Sequence, residues 1–539
     1  MFTIRKKHTL IFVLSCISII FAGCSGTKKE QVVGSVAYKP KQTEVQPQRF
    51  DDFEQPELTI LRENHSQQIF KDYGVNPTIS TEFEQHSTFA MDVDNVSYRI
   101  AKASIDAQRL PAKAAIRVEE FVNNSQYNYQ TGGDTFSVSA QIAPSPFRPG
   151  FHVLHVGIQA RQVSDQDRLP ANLVLVADVS ASMHSENKMA LQKQAFTTLV
   201  SQLKPEDTVA LVAYNSHARV LLKPTAVKHR SKIYRSIKRL KSGGSTNAAE
   251  GLLLGYELAN SIAYPGHTNR VILTSDGMAN IGAVDPDSIV QKINEYRQHN
   301  IFLTTVGVGK NMYNDYLLEQ LANQGNGNYL YFANQSDVES AFVDRLTTQI
   351  QTVAKDAKVQ LKFNPEMISH FRQLGYENRA LQTDDFLNAN KDGGELGANH
   401  QTTVLYEIKL RKTDKYKQLA TLALSYKKPQ GSQVLTIEKT LLPEIIQTNP
   451  KETSPDTTIS IVSAAFAEKL RQSYWSRLFT YQDIKAELNL LPAHIKQSKQ
   501  VQQLINLIDN ASQIDARVDP YETDHPISKI SYEQIPLLR

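Results

Sequence analysis

From about residue 170 to about residue 350 the chain alternates short apolar runs with stretches of helical periodicity. That alternation is the pattern of a doubly wound α/β sheet. The strand candidates are Leu173–Ala177, Val209–Tyr214, Val271–Thr274, Phe302–Val308 and Tyr329–Phe332. Between them lie helical stripes such as Phe196, Leu199, Val200 and Leu203, which read as ordinary core. The first strand, within NLVLVADVSASM (Asn172 to Met183), runs straight into Asp178, Ser180 and Ser182. In an extended stretch, residues two apart point the same way, so one carboxylate and two hydroxyls converge. A hard cation such as Mg²⁺ takes oxygen ligands of this kind and keeps some waters. The alternative is a strand that simply ends in an Asp/Ser turn.

Two further segments bear on that choice. Gly243-Gly244-Ser245-Thr246-Asn247 precedes the apolar helix pattern Ala248 to Ile262, and RVILTSDG (Arg270 to Gly277) is another apolar strand, ending in Asp276. In an open α/β sheet such strand ends share one edge, so they can meet. The D-x-S-x-S run, the Thr246 loop and Asp276 together resemble the von Willebrand factor type A (VWA) domain, of the kind found in integrin I domains. The resemblance implies a metal-ion-dependent adhesion site with Asp178, Ser180, Ser182, Thr246 and Asp276 as the ligand set. It implies one divalent cation, Mg²⁺ first, with Mn²⁺ or Ca²⁺ as alternatives. The chain departs from the family at Ala181, where Gly is usual, and at His184, where an acidic residue often follows the methionine.

The amino terminus carries an address. Arg5, Lys6 and Lys7 precede an apolar stretch from Leu10 to Phe21 that closes on Ala22-Gly23-Cys24. The run is too short for a spanning helix and reads as a secretory signal. It resembles a bacterial lipoprotein signal, which implies lipidation at Cys24. Phe21 departs from the usual Leu, and Ser25 after the cysteine favours the outer membrane if the host has two. The other cysteine, Cys16, lies inside the signal, so the mature chain would have no thiol pair. From Ser25 to about Glu82, polar composition and Pro predict a disordered tether.

The flanks of the α/β region read differently. STFAMDVDNVSYRIAKASIDAQRLP, from Ser87, combines a short strand with a helix, and resembles a VWA-associated N-terminal region of bacterial lipoproteins. Asp92, Asp94, Asn95 and Ser97 mimic part of a calcium loop but lack its later Gly and Glu, which favours a turn and helix cap. Alternating stretches follow at Thr135–Ile142 and Phe151–Ile158, then, after the α/β region, at Ala357–Phe363, Thr403–Leu410 and Leu419–Tyr426. GYENRAL (Gly375 to Leu381) and the pair Lys391 and Asp392 resemble the same lipoproteins. The segment from Ile459, containing the lone Trp475, is helical and resembles their C-terminal domain of unknown function.

Each group of flanking strands is too small to close a stable sandwich alone, and exposed edges invite aggregation. Doubly wound domains usually have neighbouring termini, so one can be inserted into another domain. The expected fold is therefore α/β: a doubly wound, mostly parallel, Rossmann-like VWA sheet inserted in a discontinuous β-domain, with a helical C-terminal domain. The expected boundaries are 1–23 signal, 24–82 tether, 83–168 N-terminal region and 169–352 VWA domain. They continue as 353–430 β-rich and packed with 134–160, 431–458 linker and 459–539 helical. The metal edge should point away from the β-domain, since ligands bind at strand carboxyl ends.

A net charge of +4 over 539 residues excludes the strongly basic profile of a nucleic-acid binder. Clusters such as Lys238-Arg239-Leu240-Lys241 read as a solvated helix face. Neither G-x-G-x-x-G after the first strand nor a Walker loop is present. Ser185 and Lys188 form an S-x-x-K without the companion motifs of serine acyl-enzymes, so chance explains it. The sequence thus points to a non-enzymatic binding protein on the cell envelope, lipid-anchored to the membrane. Its metal would take an Asp or Glu from a protein partner, and no nucleic acid is expected. The alternatives are a metal-dependent hydrolase and an envelope scaffold with a vestigial metal site.

Overall fold

A computed structural model of the chain describes residues 70–91, 94–132, 135–277, 293, 295–296, 299–309, 314–413 and 416–523. The signal, Cys24 and Asp92 lie outside them. At the centre is a six-stranded sheet. Its first strand in sequence, Ala171–Asp178, lies in the middle, buried at every position. From there the chain moves outward to Thr208–Tyr214, parallel, and Ala218–Ala226, antiparallel at the edge. It then returns to the other side of the first strand for Thr268–Ser275, Ile301–Val308 and Tyr329–Phe332, all parallel. The strand order therefore reverses beside Ala171–Asp178, and the carboxyl end of that strand is where a crevice opens.

The first strand is apolar on both faces because both are covered. Leu173, Leu175 and Ala177 join one core with Phe196, Leu199 and Val200 of the helix Lys188–Gln202. Val174 and Val176 join the opposite core with Leu252 and Tyr256 of the helix Ala248–Ile262. That second helix starts at Asn247, whose side-chain oxygen accepts the Glu250 amide at 3.2 Å. It lies flush on the sheet: a Cβ at Gly251 would come within 2.7 Å of Tyr214, and one at Gly255 within 2.5 Å of Val176. Glycine is used there for close approach rather than for backbone freedom.

The flanking strands build one β-sandwich. His152–Ala160 pairs antiparallel with Gln401–Leu410, Val156 facing Val404, within a five-stranded sheet. The second sheet is centred on Thr352–Phe363, which pairs with His86–Ala90 and with Ala420–Lys427. Leu154, Val156, Ile158, Val404 and Tyr406 of the first sheet share a core with Phe89, Val359, Leu361 and Leu422 of the second. The rings of Phe363 and Phe371 stack at 4.4 Å between them. The α/β domain is thus an insert in a discontinuous β-domain. At its amino edge the Leu169 amide donates to Gln351 Oε1 at 2.8 Å, and Asp207 binds both the Ala171 amide and Arg168. Asp178 stands at the far end of the same strand.

Three expectations need correction. The tether does not extend to Glu82: Phe70 is buried, Ile79–Ser80 pairs with Ile368–Leu374, and the Thr81 hydroxyl donates to the Ile368 carbonyl at 2.7 Å. Its polar composition is offset by a sheet edge that supplies the missing partners. The segment 431–458 is not simply a linker, because Val434–Leu441 pairs along its length with Ala420–Lys427. Nor do the C-terminal helices Pro455–Leu470, Tyr481–Glu487 and Lys499–Ile514 form a core of their own. Phe466, Val501 and Ile508 share theirs with Tyr98, Ile105 and Phe121 of the N-terminal helices Val96–Asp106 and Val118–Asn123. Asn95 occupies the cap position of the first of these helices without making a capping bond.

The N-terminal helices also bury Glu119, whose Oε2 accepts the Tyr376 amide at 2.9 Å. Burial, with the charges of Glu377 and Glu120, pushes its carboxyl up to about 8 from the ordinary 4.5. The folded chain therefore holds a proton that the unfolded chain releases. This contribution to stability is complete below about pH 4.5 and is lost as pH rises through about 8. Glu119→Gln should accordingly melt higher than wild type near pH 8, with the gap closing toward pH 5 in calorimetric scans at both pH values.

Candidate metal site

Asp178 ends the central strand and is fully buried. Its Oδ1 accepts the Ser180 amide at 2.8 Å, which turns the backbone so that the next side chains face the crevice. Its Oδ2 accepts the hydroxyls of Tyr214 at 3.2 Å and Ser275 at 3.3 Å. Burial is the main reason its carboxyl is pushed up to about 6, and the Asp276 charge adds to it. The bonds from Ser180 and Tyr214 work the other way.

The Ser180 and Ser182 hydroxyls are hydrogen-bonded to each other at 2.9 Å. Adjacent oxygens around an octahedral ion at about 2.1 Å are separated by about 3.0 Å, so the pair has the spacing of two neighbouring ligands. Ser180 is buried, whereas Ser182 is half-buried and reachable from solvent. The second loop is tied to the first by two backbone bonds, Ala181 amide to Gly244 carbonyl at 3.0 Å and Gly243 amide to Val179 carbonyl at 2.8 Å. Gly243 and Gly244 have φ of +156° and +86°. The second value is left-handed, where glycine avoids the Cβ penalty. Thr246, half-buried, follows on this loop just ahead of the Asn247 cap.

Asp276 follows the strand Thr268–Ser275 on the next position of the sheet and is fully buried. The Ser275–Asp178 bond brings that strand end to the first. The structure therefore gathers the loops of all five expected residues at one carboxyl edge, and the hydroxyl and carboxylate chemistry present suits a hard divalent cation. Ser180, Ser182 and Thr246 would supply neutral oxygens, with Asp178 and Asp276 supplying charge.

The ligand motif does not reveal the residues that hold this set in place. Gln192 donates to the Asp178 carbonyl at 3.0 Å and accepts the Thr274 hydroxyl at 2.7 Å, fastening two strand ends together. Tyr214 also donates to the Thr274 carbonyl at 3.0 Å. Lys188 Nζ donates to Asp276 Oδ2 at 3.0 Å, with both side chains fully buried. Ser185 instead donates to the Ser182 carbonyl, so Ser185 and Lys188 are engaged separately and form no nucleophile–base pair. His184 is exposed, and its Nδ1 lies 3.5 Å from the Ser242 hydroxyl. Away from this edge, Asp392 lies with Asp356 and Glu395 in the β-domain, where Lys427 pairs with Asp356 at 2.6 Å.

Comparison with known proteins agrees with the fold class. The family profile of the von Willebrand factor type A domain matches residues 172–345, and one described as von Willebrand factor matches 64–155. The fold and the motif define a bacterial VWA-domain protein. Domains of this class mediate protein interactions and commonly bind a divalent metal. More narrowly, the chain belongs to the YfbK family. It is 32% identical over 443 residues to the Escherichia coli (strain K12) protein YfbK, covering 77% of this chain and 76% of that one. The profile of the C-terminal region of YfbK matches residues 348–514. Human inter-alpha-trypsin inhibitor heavy chain H2 is 28% identical over 169 residues, which span 30% of this chain and 18% of that one. Among solved structures, a von Willebrand factor type A protein from Catenulispora acidiphila aligns over 70% of this chain and 91% of its own, at 15% identity and a TM-score of 0.41.

Tyr214 offers a direct test of how the site is supported. Tyr214→Phe removes one hydroxyl whose single proton is shared between the Asp178 carboxylate and the Thr274 carbonyl, and so takes one donor from a buried pair of acceptors. Urea unfolding should show a loss of about 1–2 kcal/mol without loss of secondary structure.

Proposed function

We propose that this protein is a lipid-anchored, cell-envelope binding protein whose VWA domain captures an acidic side chain of a protein partner through a divalent cation, Mg²⁺ in the first place. The observation that carries the reading is the pair of serine hydroxyls at ligand spacing beside Asp178, at the carboxyl edge of the central strand. When bound, the cation supplies an electrophilic centre that accepts a carboxylate oxygen. The chain's own part is orientation: Ser180 is fixed by the hydrogen bond from its backbone N–H to Asp178, and half-buried Ser182 is reachable by a partner. Gln192 and Tyr214 keep the strand ends from separating. Support for the partner's acidic character comes from the ligand set, since an ion held largely by neutral hydroxyl oxygens stays electrophilic.

The test is capture of envelope proteins by the full chain in detergent, using acid-bearing cross-linked partners identified with and without chelator. Mg²⁺-dependent capture that Asp178→Ala abolishes is the expected result. Equal capture in chelator, or by Asp178→Ala, would remove metal from the account.

Anchoring rests on the signal-like run that ends at Cys24. Growth with a radioactive fatty acid should label the wild-type protein and leave Cys24→Ser unlabelled. Labelled Cys24→Ser, or a wild-type protein released in soluble form, would end the lipoprotein reading.

A further inference from the structure

Lys188 is the first residue of the helix Lys188–Gln202, yet its side chain does not reach solvent. It runs inward and ends on Asp276 Oδ2 at 3.0 Å. The path is built for it: Gly309 has φ +112°, and a Cβ at that position would come within 2.7 Å of Lys188 Cε and 3.0 Å of its Cγ. A side chain at 309 would force the lysine to shift. Stability alone gives little reason for such a pair, since a buried ion pair seldom outperforms an apolar pair of similar volume.

We propose that Lys188 is a fixed internal counter-charge of the metal site, which weakens the hold on the cation and strengthens its demand for an anionic ligand. The argument rests on the metal reading given above. Asp178 and Asp276 bring two negative charges to the site and Lys188 brings one positive charge. A bound dication then leaves a net charge of +1, where the same site without the lysine would be neutral. An ammonium within hydrogen-bond reach of one ligand carboxylate opposes the entering cation, because charges this close in a buried setting interact strongly. The residual positive charge is cancelled when an outside carboxylate completes the shell. Metal and partner are thereby linked: the site holds the ion loosely when alone and firmly when an acidic group is present.

The two consequences have opposite signs, which separates them from a merely structural role. The experiment uses the full chain in detergent, with Mn²⁺ titrated by calorimetry and acetate as the carboxylate probe. Lys188→Met removes the charge at similar length, and Lys188→Gln removes it while keeping a donor to Asp276. Circular dichroism reports folding for both. Each variant should bind Mn²⁺ about tenfold more tightly than wild type, while acetate binding to the Mn²⁺-loaded protein weakens by a similar factor. A site that had only been loosened would lose affinity for both. Folded variants with unchanged or weaker Mn²⁺ binding, beside a wild type that binds Mn²⁺ and an Asp178→Ala that does not, would overturn the counter-charge and leave the metal reading standing. A wild type that binds no Mn²⁺ would overturn both. Failure of both variants to fold would make Lys188 a structural residue and also defeat the proposal.

Discussion

The pairing of His152–Ala160 with Gln401–Leu410 is the contact on which the rest of the architecture depends. It joins strands separated by the whole α/β domain, in register from Gln159 opposite Gln401 to His152 opposite Ile408. The join is finished by the Ala160 amide on the His400 carbonyl at 2.8 Å and the Asn399 amide on the Arg161 carbonyl at 3.0 Å. Closing so long a loop costs entropy, but that cost grows only slowly with length. The inserted domain also limits it, because a folded insert with neighbouring ends already brings the two strands together. Neither part of the sandwich is complete without the other: Val156 and Ile158 share one core with Val404 and Tyr406.

The insert is held by more than its termini. Val96, Ile100 and Ala115 of the N-terminal region pack on Leu318, Tyr329 and Tyr331 of the α/β domain. Arg117 reaches Asp315 at 2.8 Å and also pairs with Glu120, all three side chains being buried. Such a network is costly to leave incomplete, since a buried guanidinium without its carboxylates is strongly destabilising. It lies beside the edge strand Tyr329–Phe332, where the Tyr329 hydroxyl donates to Asp315 at 3.1 Å. On the same face of the five-stranded sheet, the guanidinium groups of Arg148 and Arg372 each lie 4.7 Å from the Trp475 ring. Arg372 also pairs with Glu468 at 3.0 Å. Burial alone would raise the Glu468 carboxyl, but Arg471 and Arg372 hold it down to about 2. The C-terminal helices are therefore fastened to the sheet by charge as well as by apolar packing.

The candidate site joins two kinds of constraint. Backbone turns at Asp178 and Gly244 aim the ligands, and side chains behind them fix the strand ends. Gly251 is part of this second layer, since it lets the helix Ala248–Ile262 press directly on Tyr214, whose hydroxyl serves Asp178. Preorganisation of this sort places oxygens at ligand spacing before any ion arrives.

Much of this was legible in the sequence because the relevant signals are local. The run from Leu173 to Asp178 reports a buried strand through its apolar pattern, whereas Ser182 lies in the 3-10 helix Ala181–Asn187 and is not placed by the two-residue period. The α/β alternation and the strand patterns on either side likewise report a layered fold with an insert. Three things were not legible. Ile79–Ser80 and Val434–Leu441 look like tether and linker because their polar composition carries little apolar pattern, and each is ordered by pairing, with Ile368–Leu374 and with Ala420–Lys427. The C-terminal helices show their apolar stripes in sequence, but not that Phe121 and Ile105 complete their core. Lys188 carries no motif beyond a chance S-x-x-K, and its meeting with Asp276 requires the sheet to place the two strand ends side by side. The sequence by itself determined the buried strands of the α/β sheet, such as Ala171–Asp178, since their apolar runs follow from neighbours along the chain. Only the tertiary structure decided which distant segments complete each core and which charge answers Asp276, because those depend on contacts that exist only after the chain has closed.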